Sequence, residues 1–178
     1  MLDHLTNLVC LKAEEKGLEL LLDIDRSIPG CLVGDPLRLG QVLVNLGNNA
    51  VKFTESGEIV VSVQVQERAA DSVRLLFSVR DTGIGMSDEL QTQLFQAFQQ
   101  ADSSTTRQYG GTGLGLTISQ RLVNMMHGKI EVASQPGEGS QFSFSVELQS
   151  MEDELDLLPP EALDLELIND HLARLIAG

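Results

Sequence analysis

The sequence predicts an α+β fold, a two-layer α/β sandwich in which helices cover one face of a mixed, mostly antiparallel sheet. Three observations carry the prediction. Two long segments, one after Asp35-Pro36 and one from Gly113, place apolar residues at helical spacing. Residues 58–66 with 72–80, and 129–133 with 140–148, read as strand pairs, the first joined by a polar turn and the second around Pro136-Gly137-Glu138-Gly139. Helices and strands interleave irregularly and finish in a hairpin, which suits a sheet covered on one side.

Taken in order, Leu2, Leu5, Leu8, Val9 and Lys12 fit a short amphipathic helix to Lys16, with Gly17 as its C-terminal cap. Residues 18–24 read as a strand whose leucine run suggests burial on both faces. Pro29-Gly30 makes a turn and residues 31–33 a brief second strand. Asp35 at the N-cap and Pro36 behind it start a helix that runs to Phe53, with Leu39, Val42, Leu43, Leu46 and Ala50 on its buried face. The helix over 113–126 is apolar at Leu116, Ile118, Leu122, Val123 and Met126, and His127-Gly128 ends it.

The chain has 178 residues and a formal net charge of −14. That length suits one domain with a short appendage, expected as a domain over 1–149 and an acidic linker or amphipathic helix over 150–178. Residues 151–178 hold eight acids against one base, Arg174, which gives −7. So strong an acidic balance argues against nucleic acid as a direct partner, since phosphate backbones need Lys and Arg. No apolar run approaches the ~20 residues of a membrane span, and no basic leader follows Met1, so direct membrane insertion of this segment is not expected. Cys10 and Cys31 have no metal or redox spacing, which suits a reducing cytoplasm. Any anion this domain holds must be met mainly by main chain, a helix N-terminus, a metal ion and very few basic side chains.

Two glycine clusters frame the stretch from Asp81 to Leu116: Asp81-Thr82-Gly83-Ile84-Gly85 and Gly110-Gly111-Thr112-Gly113-Leu114-Gly115. Repeated glycines let main chain lie directly against a ligand, and a long polar connection between them reads as a hinged nucleotide lid. Asp81, at the end of a strand, can accept a hydrogen bond from an exocyclic amine. The equally simple reading of that carboxylate is an Asx-type turn closing a hairpin. Free N–H groups where the second cluster opens a helix suit an anion, with Thr112 available as N-cap. On the helix before Phe53, Asn45, Asn49 and Lys52 fall at i, i+4 and i+7 and share a face. Amides and an ammonium suit hydrated Mg²⁺ and phosphate oxygens; the bland reading is a solvated helix side. Neither the P-loop spacing nor the dinucleotide glycine spacing is present.

In this order, Asn45 to Phe53, Asp81 to Gly85, Leu94-Phe95-Gln96-Ala97-Phe98 and Gly110 to Leu116 resemble the N, G1, F and G2 boxes of the catalytic ATP-binding domain of sensor histidine kinases, hybrid kinases in particular. The resemblance covers about residues 1–149. It implies the Bergerat fold shared with gyrase, Hsp90 and MutL, with ATP and Mg²⁺ as cofactors. By that resemblance Asn49, assisted by Asn45, ligates Mg²⁺, Lys52 contacts phosphate or the lid, and Phe53 lies beside adenine. Asp81 binds the adenine amino group, Gly83 and Gly85 floor the base pocket, and Gly111, Thr112, Gly113, Leu114 and Gly115 surround the phosphates. Ser140 resembles the hydroxyl that supports the adenine-binding carboxylate, Phe95 and Phe98 anchor the lid, and Arg107, the one lid cation, meets the transferring phosphoryl group.

None of His4, His127 and His171 is followed by an acid, so the phosphoacceptor pattern is absent and autophosphorylation of this segment alone is not expected. The implied partners are the histidine-containing acceptor/dimerisation domain of the same kinase and a response-regulator receiver domain, all cytoplasmic, with this segment monomeric. Two other functions stay open at this stage. One is an ATPase clamp of the gyrase, Hsp90 or MutL kind, and the other a nucleotide-binding regulatory module without kinase activity.

Overall fold

The computed structural model describes residues 2–99 and 114–150, with four helices and six strands among them. In chain order these are α1 (Leu2–Glu15), β1 (Glu19–Ile24), β2 (Leu32–Val33), α2 (Pro36–Phe53), β3 (Glu58–Arg68), β4 (Ser72–Asp81), α3 (Asp88–Gln99), α4 (Leu114–Met125), β5 (Ile130–Gln135) and β6 (Gly139–Ser150). The strands form one mixed sheet in the order β1-β3-β4-β6-β2, with β5 also paired to β6. Only the β1–β3 pair is parallel. The two-layer sandwich is therefore as predicted.

Period-two alternation decides which sheet face meets the helices. Ile59, Val61 and Val63 of β3, Val73, Leu75, Phe77 and Val79 of β4, and Phe142, Phe144, Val146 and Leu148 of β6 are buried. They meet Leu39, Val42, Leu43, Leu46 and Ala50 of α2, Val9 and Ala13 of α1, and Val123 of α4. The five α2 positions are those the helical spacing selects. Phe77 and Phe144 face each other across β4 and β6 and stack with ring centroids 5.2 Å apart. The other sheet face carries polar residues such as Ser62 and Ser78, whose hydroxyls are bonded at 2.7 Å.

Two expectations need correction. β1 is not buried on both faces: it lies at a sheet edge, and Leu21, Leu22 and Ile24 are exposed. The run is apolar, yet only Leu20 and the preceding Leu18 turn inward. In α4 Ile118 is exposed and Ser119 is buried at 1% exposure, because that helix turns a hydroxyl rather than a methyl towards α2. Within the stretch between the glycine clusters, α3 occupies Asp88–Gln99 and lies against β5 and α4.

Candidate functional site

Helix α2 is fixed at both ends. Asp35 accepts the Arg38 N–H at 3.0 Å and Pro36 supplies the first helical residue, an N-cap with a preset φ behind it. At the other end the Thr54 hydroxyl donates to the Ala50 carbonyl at 2.7 Å. Lys16, just past α1, donates from Nζ to the carbonyls of Val51 at 2.7 Å, Lys52 at 3.2 Å and Thr54 at 3.3 Å. A cation on the last carbonyls of a helix offsets both their missing partners and the negative end of the helix dipole. The turn carrying Asn49, Lys52 and Phe53 is held in place by these bonds.

Asn45 and Asn49 are half-buried one turn apart, while Lys52 is exposed with its ammonium 5.0 Å from the Phe53 ring centroid. Asn45 donates from Nδ2 to the Ser119 hydroxyl of α4 at 2.9 Å. Its other amide atom lies over Gly115, where an added Cβ would come within 2.2 Å of Oδ1. The second glycine cluster thus ends against the asparagine face. Asn48, by contrast, accepts from Lys12 at 2.7 Å and belongs to the packing of α1 on α2.

Asp81 is the last residue of β4 and is 6% exposed. Its Oδ1 accepts the Gly83 N–H at 2.9 Å, so the Asx-type turn is present. Burial pushes the carboxyl above its ordinary pKa, and hydrogen bonds from the Gly83 and Ser140 main chain pull it back. A carboxylate in that setting has lost water it would otherwise accept from.

The turn after Asp81 is wedged between two elements. Ile84 donates its N–H to the Phe53 carbonyl at 3.2 Å, and Gly137 donates to the Ile84 carbonyl at 2.8 Å. A Cβ on Gly83 would stand 2.3 Å from that Phe53 carbonyl oxygen. Gly85 has φ +63°, and a Cβ there would meet the Gln135 carbonyl oxygen at 1.8 Å. Ile84 and Phe53 stay exposed beside this turn, at 62% and 39%. They offer an apolar rim next to a buried acceptor, which suits a flat heteroaromatic ring carrying an amine.

A hydrogen-bonded cluster centred on Ser134, which no motif in the sequence marks, lies behind this turn. Ser134 of β5 accepts the Met86 N–H at 2.8 Å, donates to the Gly139 carbonyl at 2.8 Å and lies 2.9 Å from the Ser140 hydroxyl. Gln91 of α3 donates from Nε2 to the Ser134 carbonyl at 2.9 Å. Ser140 pairs with Asp81 in the β4–β6 register, while its hydroxyl is bonded to Ser134. A serine in an alternating strand gives no sequence signal of its own.

Asn45, Asn49, Lys52, Phe53, Asp81, Gly83, Gly85, Gly115 and Ser140 therefore lie on elements that α2 links directly or through the Asp81 turn. Leu114 opens α4, and of its side chain nothing is described. Arg107, Gly111, Thr112 and Gly113 lie outside the described residues, as does the tail from 151. Among the described residues no cluster of three or more His, Cys, Asp or Glu side chains offers a metal site. An ion here would need amide oxygens, and Asn45 and Asn49 are hard oxygen donors of that kind. A cleft of about 360 Å³ on the open sheet face, lined by Arg74, Leu76 and Glu147 among others, shares no residue with this arrangement.

A helix of amides is thus set against the start of a second helix, with a buried carboxylate on a glycine turn at its far end. The family of histidine kinase-, DNA gyrase B- and HSP90-like ATPases matches residues 34–150, and the chain belongs to it. Among its relatives, sensor histidine kinase GacS of Pseudomonas protegens is 52% identical over 147 residues, 83% of this chain and 16% of that protein. Signal transduction histidine-protein kinase BarA of Escherichia coli K12 is 48% identical over the same shares. The chain thus spans about a sixth of these curated relatives. Full-length ShkA, solved in complex with AMPPNP, aligns with a TM-score of 0.67 at 31% identity, over 83% of this chain and 30% of ShkA. The nucleotide-free catalytic domain of histidine kinase ThkA aligns with a TM-score of 0.61 at 25% identity, over 82% and 90%. The fold is that of histidine kinase catalytic domains. No helix among the described residues is long and apolar enough to cross a membrane.

Proposed function

We propose that the chain is the ATP-binding catalytic domain of a two-component sensor histidine kinase, occupying residues 1–149, with 150–178 as an acidic linker or amphipathic helix. It hands the γ-phosphoryl group of Mg·ATP to a histidine on a separate acceptor/dimerisation domain of the same cytoplasmic assembly, and the phosphoryl passes on to a receiver domain. The observation that carries this reading is Asp81: a buried carboxylate, fixed by Gly83 against the end of α2, beside two exposed apolar side chains.

Asp81 accepts from the adenine amino group while Gly83 and Gly85 leave room for the ring to approach main chain. Asn49, with Asn45 oriented by Ser119, supplies amide oxygens to Mg²⁺, and Lys52 meets phosphate. The ion, when bound, would neutralise phosphate charge that this acidic chain meets with few basic side chains. Gly111, Thr112, Gly113, Leu114 and Gly115 surround the phosphates, and Arg107 stabilises charge on the group in transfer.

The test mixes this chain with labelled ATP and a separately prepared acceptor domain. Label on the acceptor histidine only when both proteins are present supports the reading. Steady hydrolysis without acceptor would support the ATPase-clamp alternative, and binding with neither transfer nor hydrolysis the regulatory one.

A further inference from the structure

Asp81, Ser140 and Ser134 form one row across three neighbouring strands, since Asp81 is registered with Ser140 and Ser140 with Ser134. Ser134 has a single hydroxyl proton and two lone pairs. The Gly139 carbonyl can only accept, so the 2.8 Å contact takes that proton. The Met86 N–H can only donate, so it fills one lone pair at 2.8 Å. What remains for the 2.9 Å contact with Ser140 is the second lone pair, which requires Ser140 to donate. Ser134 is then saturated, and the Ser140 proton is directed along the row, away from Asp81.

We infer that Ser134 is a positioning residue for base recognition: by holding the Ser140 proton, it leaves Ser140 with acceptor capacity only beside the Asp81 carboxylate. This rests on the nucleotide-binding reading above. Ser140 and Asp81 then form a wall without donor protons. It favours a base that presents an amine at this edge, and it penalises one that presents a carbonyl there, because the carbonyl would face lone pairs with its own hydration removed. The amine and carbonyl cases correspond to adenosine and inosine nucleotides, which differ at C6, an amine against a carbonyl, and in the proton that inosine carries on the neighbouring N1. Ser134 touches neither base; its effect passes through Ser140.

The experiment measures equilibrium binding of ATP and of ITP, each with Mg²⁺, to the full chain. Ser134→Ala releases the Ser140 proton, which can then serve a ring carbonyl. The ATP-over-ITP preference should fall about threefold to tenfold, the worth of one redirected hydrogen bond. Ser134→Thr keeps the hydroxyl and should restore the preference. In a Ser140→Ala background Ser134→Ala should leave it unchanged. Loss of hydroxyl packing alone would weaken both nucleotides equally, so a preference unchanged within about twofold in Ser134→Ala overturns the inference. Should Ser134→Ala not fold, Ser134→Cys keeps the volume with a much weaker donor and acceptor, and the same fall in preference is expected of it. Wild-type protein that binds ATP without preferring it over ITP contradicts this inference while sparing the nucleotide-binding reading. Wild-type protein that binds neither removes both.

Discussion

Asn45 on α2 reaches Ser119 on α4, Nδ2 to Oγ, across 2.9 Å and 74 positions of sequence. The bond sets which way the amide oxygen points, and Gly115 supplies the space in which that oxygen lies. Ser119→Ala removes the acceptor from a buried position and leaves the Asn45 N–H unpaired. We expect a stability loss of about 1–3 kcal/mol by denaturant titration, together with weaker Mg²⁺-dependent nucleotide binding. Unchanged magnesium dependence would separate Asn45 from the metal.

Gly85 combines φ +63° with main chain where a Cβ would stand, 1.8 Å from the Gln135 carbonyl oxygen. Gly85→Ala cannot be relieved by a side-chain rotation, because the obstacle is backbone. It should cost about 2–4 kcal/mol and detach the Asp81 turn from the β5–β6 hairpin. Gly137→Ala has open space around its Cβ and only its φ of +80° against it, so it should cost less. Equal losses in the two variants by urea unfolding would contradict the close approach.

Lys16 caps α2 from outside the helix. Lys16→Met keeps the aliphatic stem and removes the ammonium, so the last carbonyls of α2 lose their donor. A loss of about 1 kcal/mol is expected, readable as a fall in Tm. A Tm unchanged within about 1 °C would mean that water serves those carbonyls equally well.

Burial raises the Asp81 pKa in the folded protein above its unfolded value. A proton is therefore held more tightly in the folded state, and stability falls as pH rises from the ordinary carboxylate range through that raised value. Asp81→Asn carries no charge at any pH and retains an oxygen for the Gly83 N–H. At neutral pH it should be as stable as wild type or more so, and any advantage should vanish in acid below the ordinary carboxylate pKa. Thermal melts across pH check this, and a variant less stable at neutral pH than in acid, relative to wild type, would reverse the sign.

Much of this was legible because the signals were periodic or positional. Asp35-Pro36 marked the start of α2, and apolar residues at helical spacing identified five of its seven buried positions, Gly47 and Val51 being the others. Four motifs in a fixed order pointed to the family. Three features were not legible for physical reasons. Leucine runs report hydrophobicity rather than neighbours, so the edge position of β1 could not be read from Leu20 to Leu22. Helical spacing favoured Ile118 as a core residue, yet the position that faces Asn45 needs the hydroxyl of Ser119. Ser134 makes three short hydrogen bonds, two with Gly139 and Ser140 of the paired strand and one from Met86 in the turn before α3, and a lone serine in a strand announces none of them.

The central claim is that Asp81 recognises the base of a Mg·ATP molecule held by the amides of α2 and the glycine clusters. Calorimetric titration of ATP into the wild-type chain and into Asp81→Asn, each with and without Mg²⁺, tests it most directly. The expected result is magnesium-dependent binding to wild type and an affinity about 10- to 100-fold lower in Asp81→Asn, at undiminished folded stability. Equal affinities in the two proteins, or heat of binding indifferent to Mg²⁺, would contradict it.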